Sequence, residues 1–387
     1  MPGRAARGLK KRTQALNAVT ANLLSRAWWL GLALAVAVAV LAGYSAEWIG
    51  VSVFGLARSP VSAIMLAIIL GMILSNSLNL APLASGGLRF CSTTVLRIGI
   101  ALLGIRLSLL SAGKFTLVAL PFVILAIAAG MTVVGYLGRR LELSRRLAGL
   151  IAIGTSICGA SAIVATAPLI RARESEVSYA IACITVFGIA AMFFYPILAH
   201  GFFENRPELA GLFLGTSIHE TAQVAGAGMM YQAQYDAPVA LDIATVTKLV
   251  RNLCMIAMIP LAGVLFGAER GTGDGRTAGD YLRMIPWFVV GFAVFSALRT
   301  AGDAGEQAFG FLDPNSWAQV VSLLRRAAEI CLLVAMAAVG LNSSFAGIRS
   351  IGLRPFLLGL FAAAAVGGVS FLMISLFAPA LLSMTGN

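Results

Sequence analysis

Lys248 and Arg251 lie three residues apart in Thr247-Lys248-Leu249-Val250-Arg251-Asn252, so they share one face of any helix that contains them. The surrounding stretch, 239–266, carries no other charge apart from Asp242 near its start. A cation at the middle of a bilayer costs about 2.5–3.5 kcal/mol, so this pair needs carboxylates, water or an anionic ligand. Just upstream, Gly215-Thr216-Ser217-Ile218-His219-Glu220-Thr221-Ala222-Gln223 concentrates three hydroxyls, an imidazole, a carboxylate and an amide. Further upstream, Gly154-Thr155-Ser156-Ile157-Cys158-Gly159-Ala160-Ser161 offers hydroxyls between glycines. Such turns free backbone N–H groups at helix starts, where partial positive charge binds anions. Close packing through small residues accounts for the glycines and alanines. It does not account for His219, Glu220 and Gln223 together at membrane depth. The expected substrate ligands are Thr155, Ser156, Gly159, Ser161, Thr216, Ser217, Thr221, Gln223, Lys248 and Arg251. His219 and Glu220 are the candidates for a coupling proton or ion, because imidazole titrates near neutrality and buried carboxylates are readily perturbed. Arg97, Arg106 and Asn252 are secondary candidates.

The elements that position these groups are membrane spans. Of the 387 residues, 59% are apolar and 11% charged, and the mean hydropathy is +0.91. That balance excludes a soluble enzyme, a disordered chain and a disulfide scaffold. The continuous apolar runs also argue against a β-barrel. Full spans are predicted at 28–45, 60–80, 90–110, 115–137, 176–199, 239–266, 284–299, 316–341 and 355–380, with 46–57 as an interfacial stretch. Two segments, 147–170 and 209–230, are apolar but interrupted by glycine. The expected fold is therefore an all-α polytopic membrane protein of about nine full spans plus two broken segments. Residues 1–27 form a basic cytoplasmic tail, and 28–387 a single transmembrane transporter domain.

The net charge of +12 is read as orientation rather than nucleic-acid binding. With the N-terminus inside, the 28 Lys and Arg divide into 18 cytoplasmic, 4 external and six within spans. The C-terminus is then external. The five cysteines all lie in or beside apolar stretches and imply no disulfides. No cofactor or metal is expected, since His200 and His219 are the sole histidines and lack metal spacing. Cys158 with His219 would make a nucleophile and base only if the two turns met.

The broken segments resemble each other. Leu147-Ala148-Gly149-Leu150 followed by Gly154-Thr155-Ser156-Ile157 matches Leu209-Ala210-Gly211-Leu212 followed by Gly215-Thr216-Ser217-Ile218. Paired Gly-interrupted segments are a pointer to a secondary-transporter site. Each could be a re-entrant hairpin, with the two tips entering from opposite faces, or a discontinuous crossing helix. Inverted repeats favour hairpins.

The two Gly-Thr-Ser stretches, with Thr247–Asn252 and Leu102-Leu103-Gly104-Ile105-Arg106-Leu107, resemble the signature stretches of the YeiH-type family of bacterial inner-membrane proteins, commonly labelled sulfate exporters. The resemblance covers nearly the whole chain after the basic tail. It implies a multi-pass protein of the bacterial inner membrane and a secondary transporter rather than an enzyme. The expected function is export of sulfate or a related oxyanion; a cation- or proton-coupled carrier for another substrate is the alternative, and an intramembrane enzyme the third. The expected partners are a small anion, a coupling proton or sodium ion, and the lipid bilayer, with room for a homo-oligomer and no nucleic acid.

Overall fold

The computed structural model describes residues 26–53, 62–78, 81–203, 205–266, 285–343 and 352–384. The basic tail therefore lies outside the described residues except for its last two, which already belong to the first helix. The described chain is helical, with one isolated bridge, Ala308 to Leu312, outside the helices. In order, the helices are α1 (Arg26–Trp48), α2 (Ala63–Leu78), α3 (Ala81–Phe90), α4 (Leu96–Leu103), α5 (Leu109–Arg140), α6 (Arg145–Ser156), α7 (Ala160–Thr166), α8 (Glu174–Phe203), α9 (Pro207–Ser217), α10 (Thr221–Tyr235), α11 (Pro238–Leu253), α12 (Met255–Phe266), α13 (Trp287–Gly302), α14 (Pro314–Asn342) and α15 (Leu353–Met384).

Five helical stretches are long and apolar enough to cross a bilayer: Arg26–Val53, Leu83–Arg106, Leu109–Arg140, Glu174–Phe203 and Leu353–Leu381. The bent pair α11–α12 makes a sixth, and α2 and α13 are shorter apolar helices. The expected interfacial stretch at 46–57 is instead, as far as Val53, a continuation of the first span through a π-turn, Ile49–Val53. The expected span 239–266 is two helices meeting at 47° beside Cys254. Pro260 lies inside α12, beyond the break.

The chain divides into two compact units. The unit of residues 1–97 with 331–344 has an alanine-rich core: Ala35, Ala39, Ala42, Ala67, Ala84, Ala337 and Ala338 are all buried. Its helices approach backbone to backbone. A methyl on Gly71 would lie 2.8 Å from the Ala337 carbonyl oxygen. Small residues permit this closeness in lipid, where packing rather than hydrophobicity joins helices.

The unit of residues 98–330 with 345–387 holds both broken segments, and their contacts with α11–α12 define their course. Along α9, a methyl on Gly211 would lie 3.0 Å from Ile243 Cβ, and one on Gly215 would lie 2.7 Å from the Ala244 oxygen. α9 therefore runs parallel to α11. α10 returns the other way, with Thr221 beside Asn252 at 3.1 Å and Gly228 against Leu241. Segment 207–235 is thus a hairpin with its mouth at the start of α11. Segment 145–170 mirrors this on α12. Arg145 Nε donates to the Leu265 oxygen at 3.1 Å, Gly149 packs on Phe266, and the tip residue Cys158 meets Met255. The chain then returns so that Leu169 faces Gly263. The mouth of this hairpin is at the end of α12. The two tips meet at the α11–α12 break, approached from opposite ends.

Candidate functional site

Four helix ends converge where the tips meet. α6 ends at Ser156 and α9 at Ser217, each leaving carbonyls without an intrahelical partner. Lys248 and Arg251, both 0% exposed, supply the missing donors. Lys248 Nζ donates to the oxygens of Ile157 at 2.9 Å, Ile218 at 3.0 Å and His219. Three acceptors around one nitrogen fit an ammonium, which has three N–H groups. Arg251 Nε donates to the Ser156 oxygen at 2.6 Å, and its Nη1 to those of Thr216 at 2.7 Å and Ile218 at 3.0 Å. Its Nη2 donates to the Thr155 oxygen. The spacing of three read from sequence thus places one cation across both tips and the other one turn beyond it. Among the described residues neither forms an ion pair. Their counter-charges are the negative ends of two helix dipoles.

The opposite ends belong to α7 and α10. Gly159, at φ +71° and ψ −131°, turns the chain between α6 and α7 in a conformation open to glycine. A side chain here would also strike Glu220 Cγ. Glu220 is the N-cap of α10, in a capping box with Gln223. The Glu220 N–H donates to Gln223 Oε1 at 3.2 Å, while Glu220 Oε1 accepts from the Ala160 N–H at 3.2 Å. One carboxylate therefore joins the two tips on the positive side, as the two cations join them on the negative side. Gln223 itself packs over Gly188 of α8.

Several buried polar atoms around this junction have no hydrogen-bond partner among the described residues: Ser156 Oγ, His219 Nδ1, Thr247 Oγ1 and Asn252 Oδ1. Buried polar groups are usually paired, so such a cluster marks a place for water, an ion or a ligand.

Most of the residues singled out from sequence gather here: Thr155, Ser156, Gly159, Thr216, Ser217, His219, Glu220, Thr221, Gln223, Lys248, Arg251 and Asn252. Their roles are not uniform. The hydroxyls of Thr216 and Ser217 donate back to their own helix, at Leu212 and Phe213. Ser161 is exposed, on the outer face of α7. Arg97 belongs to the other compact unit. Arg106 lies in a separate cluster: its Nε donates to Asp242 Oδ1 at 2.5 Å, and Nη2 to Gln232 Oε1 at 2.9 Å. Its Nη1 reaches Glu329 at 3.5 Å. Asp242 and Glu220 therefore do not share a site. Cys158 Sγ lies against Met255 Sδ at 3.0 Å. Gln232 and Thr247 went unselected; Gln232 lies in the polar stretch Tyr231–Asp236, just past the predicted segment 209–230. The six carbonyls that hold Lys248 and Arg251 had no side-chain signal at all.

A buried junction of two opposed hairpins within a set of apolar spans defines a polytopic helical membrane protein. The chain belongs to the family described as Conserved hypothetical protein 698, whose model matches residues 30–359. It is 31% identical over 348 residues to a UPF0324 membrane protein of Bacillus anthracis, covering 89% of this chain and 93% of that relative. It is 32% identical over 359 residues to the UPF0324 inner membrane protein YeiH of Salmonella typhimurium, covering 90% and 95%. The YeiH protein of Escherichia coli K12 is 32% identical over 348 residues, covering 87% and 91%. The relatives are named for their membrane location.

Proposed function

We propose that this protein is a secondary transporter of a small inorganic anion, with sulfate or a related oxyanion as substrate, in the bacterial inner membrane. The observation that carries this is the charge at the hairpin junction. Lys248 and Arg251 are buried beside a single carboxylate, Glu220, which leaves one positive charge in excess. An uncompensated charge in such surroundings costs several kcal/mol, so an anion is the natural complement. All three N–H groups of Lys248 and four of the five of Arg251 are engaged by carbonyls, so their contribution to a ligand is mainly long-range field. Direct contacts would come from His219 and, with its amide turned over so that the NH2 group faces the ligand, from Asn252.

The architecture supports transport. Two hairpins approached from opposite ends, with similar Gly-Thr-Ser tips, correspond to an inverted repeat about the α11–α12 break. Nine full spans follow if α2, α13 and α14 also cross. The charge distribution puts the N-terminus inside and the C-terminus outside. Movement of the two-hairpin core would expose the junction to each side in turn, driven by a gradient or by exchange.

Labelled sulfate uptake into proteoliposomes preloaded with unlabelled sulfate tests this. Exchange by the wild type, abolished in Asn252→Leu, supports an anion carrier with its site at the junction. A folded wild type that exchanges no sulfate, with or without a proton gradient, removes sulfate as the substrate.

A further inference from the structure

We propose that the Glu220 carboxylate is a tethered occupant of the anion position, and that a substrate dianion takes its place at the start of α10 when Glu220 is protonated. This rests on the anion-transport reading above and names how the same site is loaded.

Three observations meet at this point. First, the Glu220 side chain caps its own fifteen-residue helix through the capping box and also accepts from the Ala160 N–H. A carboxylate so placed makes the same charge-assisted bonds that a bound oxyanion would make. Second, Asn252, 2% exposed, is aimed at the same helix start. Its Nδ2 donates to Thr221 Oγ1 at 3.1 Å, and its Oδ1 has no partner among the described residues. The Thr221 hydroxyl can donate as well as accept. Turning the amide over lets Thr221 donate to Oδ1 and frees the NH2 group for an anion. His219, immediately before the cap, adds an Nδ1 that also lacks a partner. Third, Glu220 and Thr221 are half-buried whereas Lys248 and Arg251 are fully buried. An anion arriving at the junction meets Glu220 before either cation.

The charge count follows. With Glu220 ionised, the junction holds two cations and one carboxylate. With Glu220 protonated, the two cations are matched by a dianion such as sulfate. The proton comes from the aqueous phase onto a Glu220 carboxylate oxygen when the anion enters, and returns to water when the anion leaves. No other bond changes. The titratable and charged groups facing Glu220 are Cys158 from the first tip and Lys248 from α11, with Arg251 one turn further along α11 and His219 adjacent on its own segment. From α8 it is Gly188 and the Thr185 carbonyl that pack behind Gln223, and neither titrates.

The test is sulfate binding to the purified full-length protein, by calorimetry across pH 6 to 8, with proton uptake followed by a pH indicator in weak buffer. Wild-type affinity should fall as pH rises, with about one proton taken up per sulfate bound at pH 8. Glu220→Gln removes the competitor. It should bind sulfate about tenfold more tightly than wild type at pH 8, with affinity flat across the range and no proton uptake. A folded Glu220→Gln that binds more weakly, or keeps the wild-type pH dependence, overturns the proposal. So does wild-type binding without proton uptake, a readout that needs no variant. Absence of sulfate binding by both proteins at every pH overturns this proposal together with sulfate as the substrate.

Discussion

Two buried cation clusters in the same unit are neutralised in opposite ways. Arg106 is held by side chains: the Asp242 carboxylate, the Gln232 amide and, at longer range, Glu329. Lys248 and Arg251 are held by backbone, through the carbonyl ends of α6 and α9. The first cluster is a closed ion pair that ties α10, α11 and the 3-10 turn after α4 together. The second fastens two hairpin tips, and its charge meets helix dipoles, each worth about half an elementary charge, and one nearby carboxylate, Glu220. Arg106, matched by the whole charge of Asp242, makes little further demand for a ligand. A dipole-held pair makes more, and that difference separates a structural tie from a candidate transport site.

The comparison is broken most severely at Arg251. Arg251→Ala leaves the carbonyls of Thr155, Ser156 and Thr216 without that donor in a buried place. Each unsatisfied buried group costs about 1–3 kcal/mol, so the variant should lose several kcal/mol and most of its folded yield. The check is thermal unfolding and monodispersity of the purified variant in detergent. A variant with wild-type melting behaviour would show that the tips are held together by other means. The consequence for experiments is that loss of transport on removing Arg251 reports the scaffold as much as the substrate, whereas Asn252 and Glu220 report the ligand position.

The second prediction sharpens the contrast from the other side. In Arg106→Gln with Asp242→Asn, both members of the closed pair become neutral amides that can still hydrogen-bond. Each single change leaves a buried charge unmatched, whereas the double change does not. A double-mutant cycle on thermal stability should return a coupling of about 1–3 kcal/mol. The double variant should keep pH-dependent sulfate binding. Additive effects would mean that Gln232 and Glu329 carry the cluster without Asp242.

Much of this was legible in sequence, and the limit has a physical cause. Repeated Gly-Thr-Ser stretches marked both tips, because tight turns at membrane depth require small and hydroxyl-bearing residues. Polar side chains among apolar ones marked Glu220, Lys248, Arg251 and Asn252. What the letters did not carry was which group each cation would meet. Backbone carbonyls are present at every residue, and only the termination of α6 at Ser156 and of α9 at Ser217 makes those carbonyls available. The same limit applied to Arg106. Its partner Asp242 lies 136 residues away in sequence, and charge spacing along one helix could not pair them. The 47° break at Cys254 was also hidden, since it falls inside a run that reads as one span.

The smallest effect belongs to a third helix end, which places the Glu220 device in water. Asp313 precedes α14 and accepts from the N–H groups of Asn315 at 2.9 Å and Ser316 at 3.0 Å. It is exposed, and hydrogen bonds from Ser316, side chain and then backbone, hold its carboxyl below the ordinary aspartate value. A carboxyl depressed in the folded state adds stability above its unfolded value, near 3.9. That stability is lost as pH falls through the folded value. Wild type and Asp313→Ala should therefore differ slightly in melting temperature at pH 7, and the charge-dependent part of the difference should shrink steadily below about pH 4. A difference unchanged down to pH 3 would mean that the cap acts through geometry rather than charge. The Glu220 cap is the buried counterpart of this one. At Asp313 water can replace the lost hydrogen bonds, so protonation there only loosens a helix start. At Glu220, half-buried beside two buried cations, the proposed occupant of the vacated N–H groups is an anion.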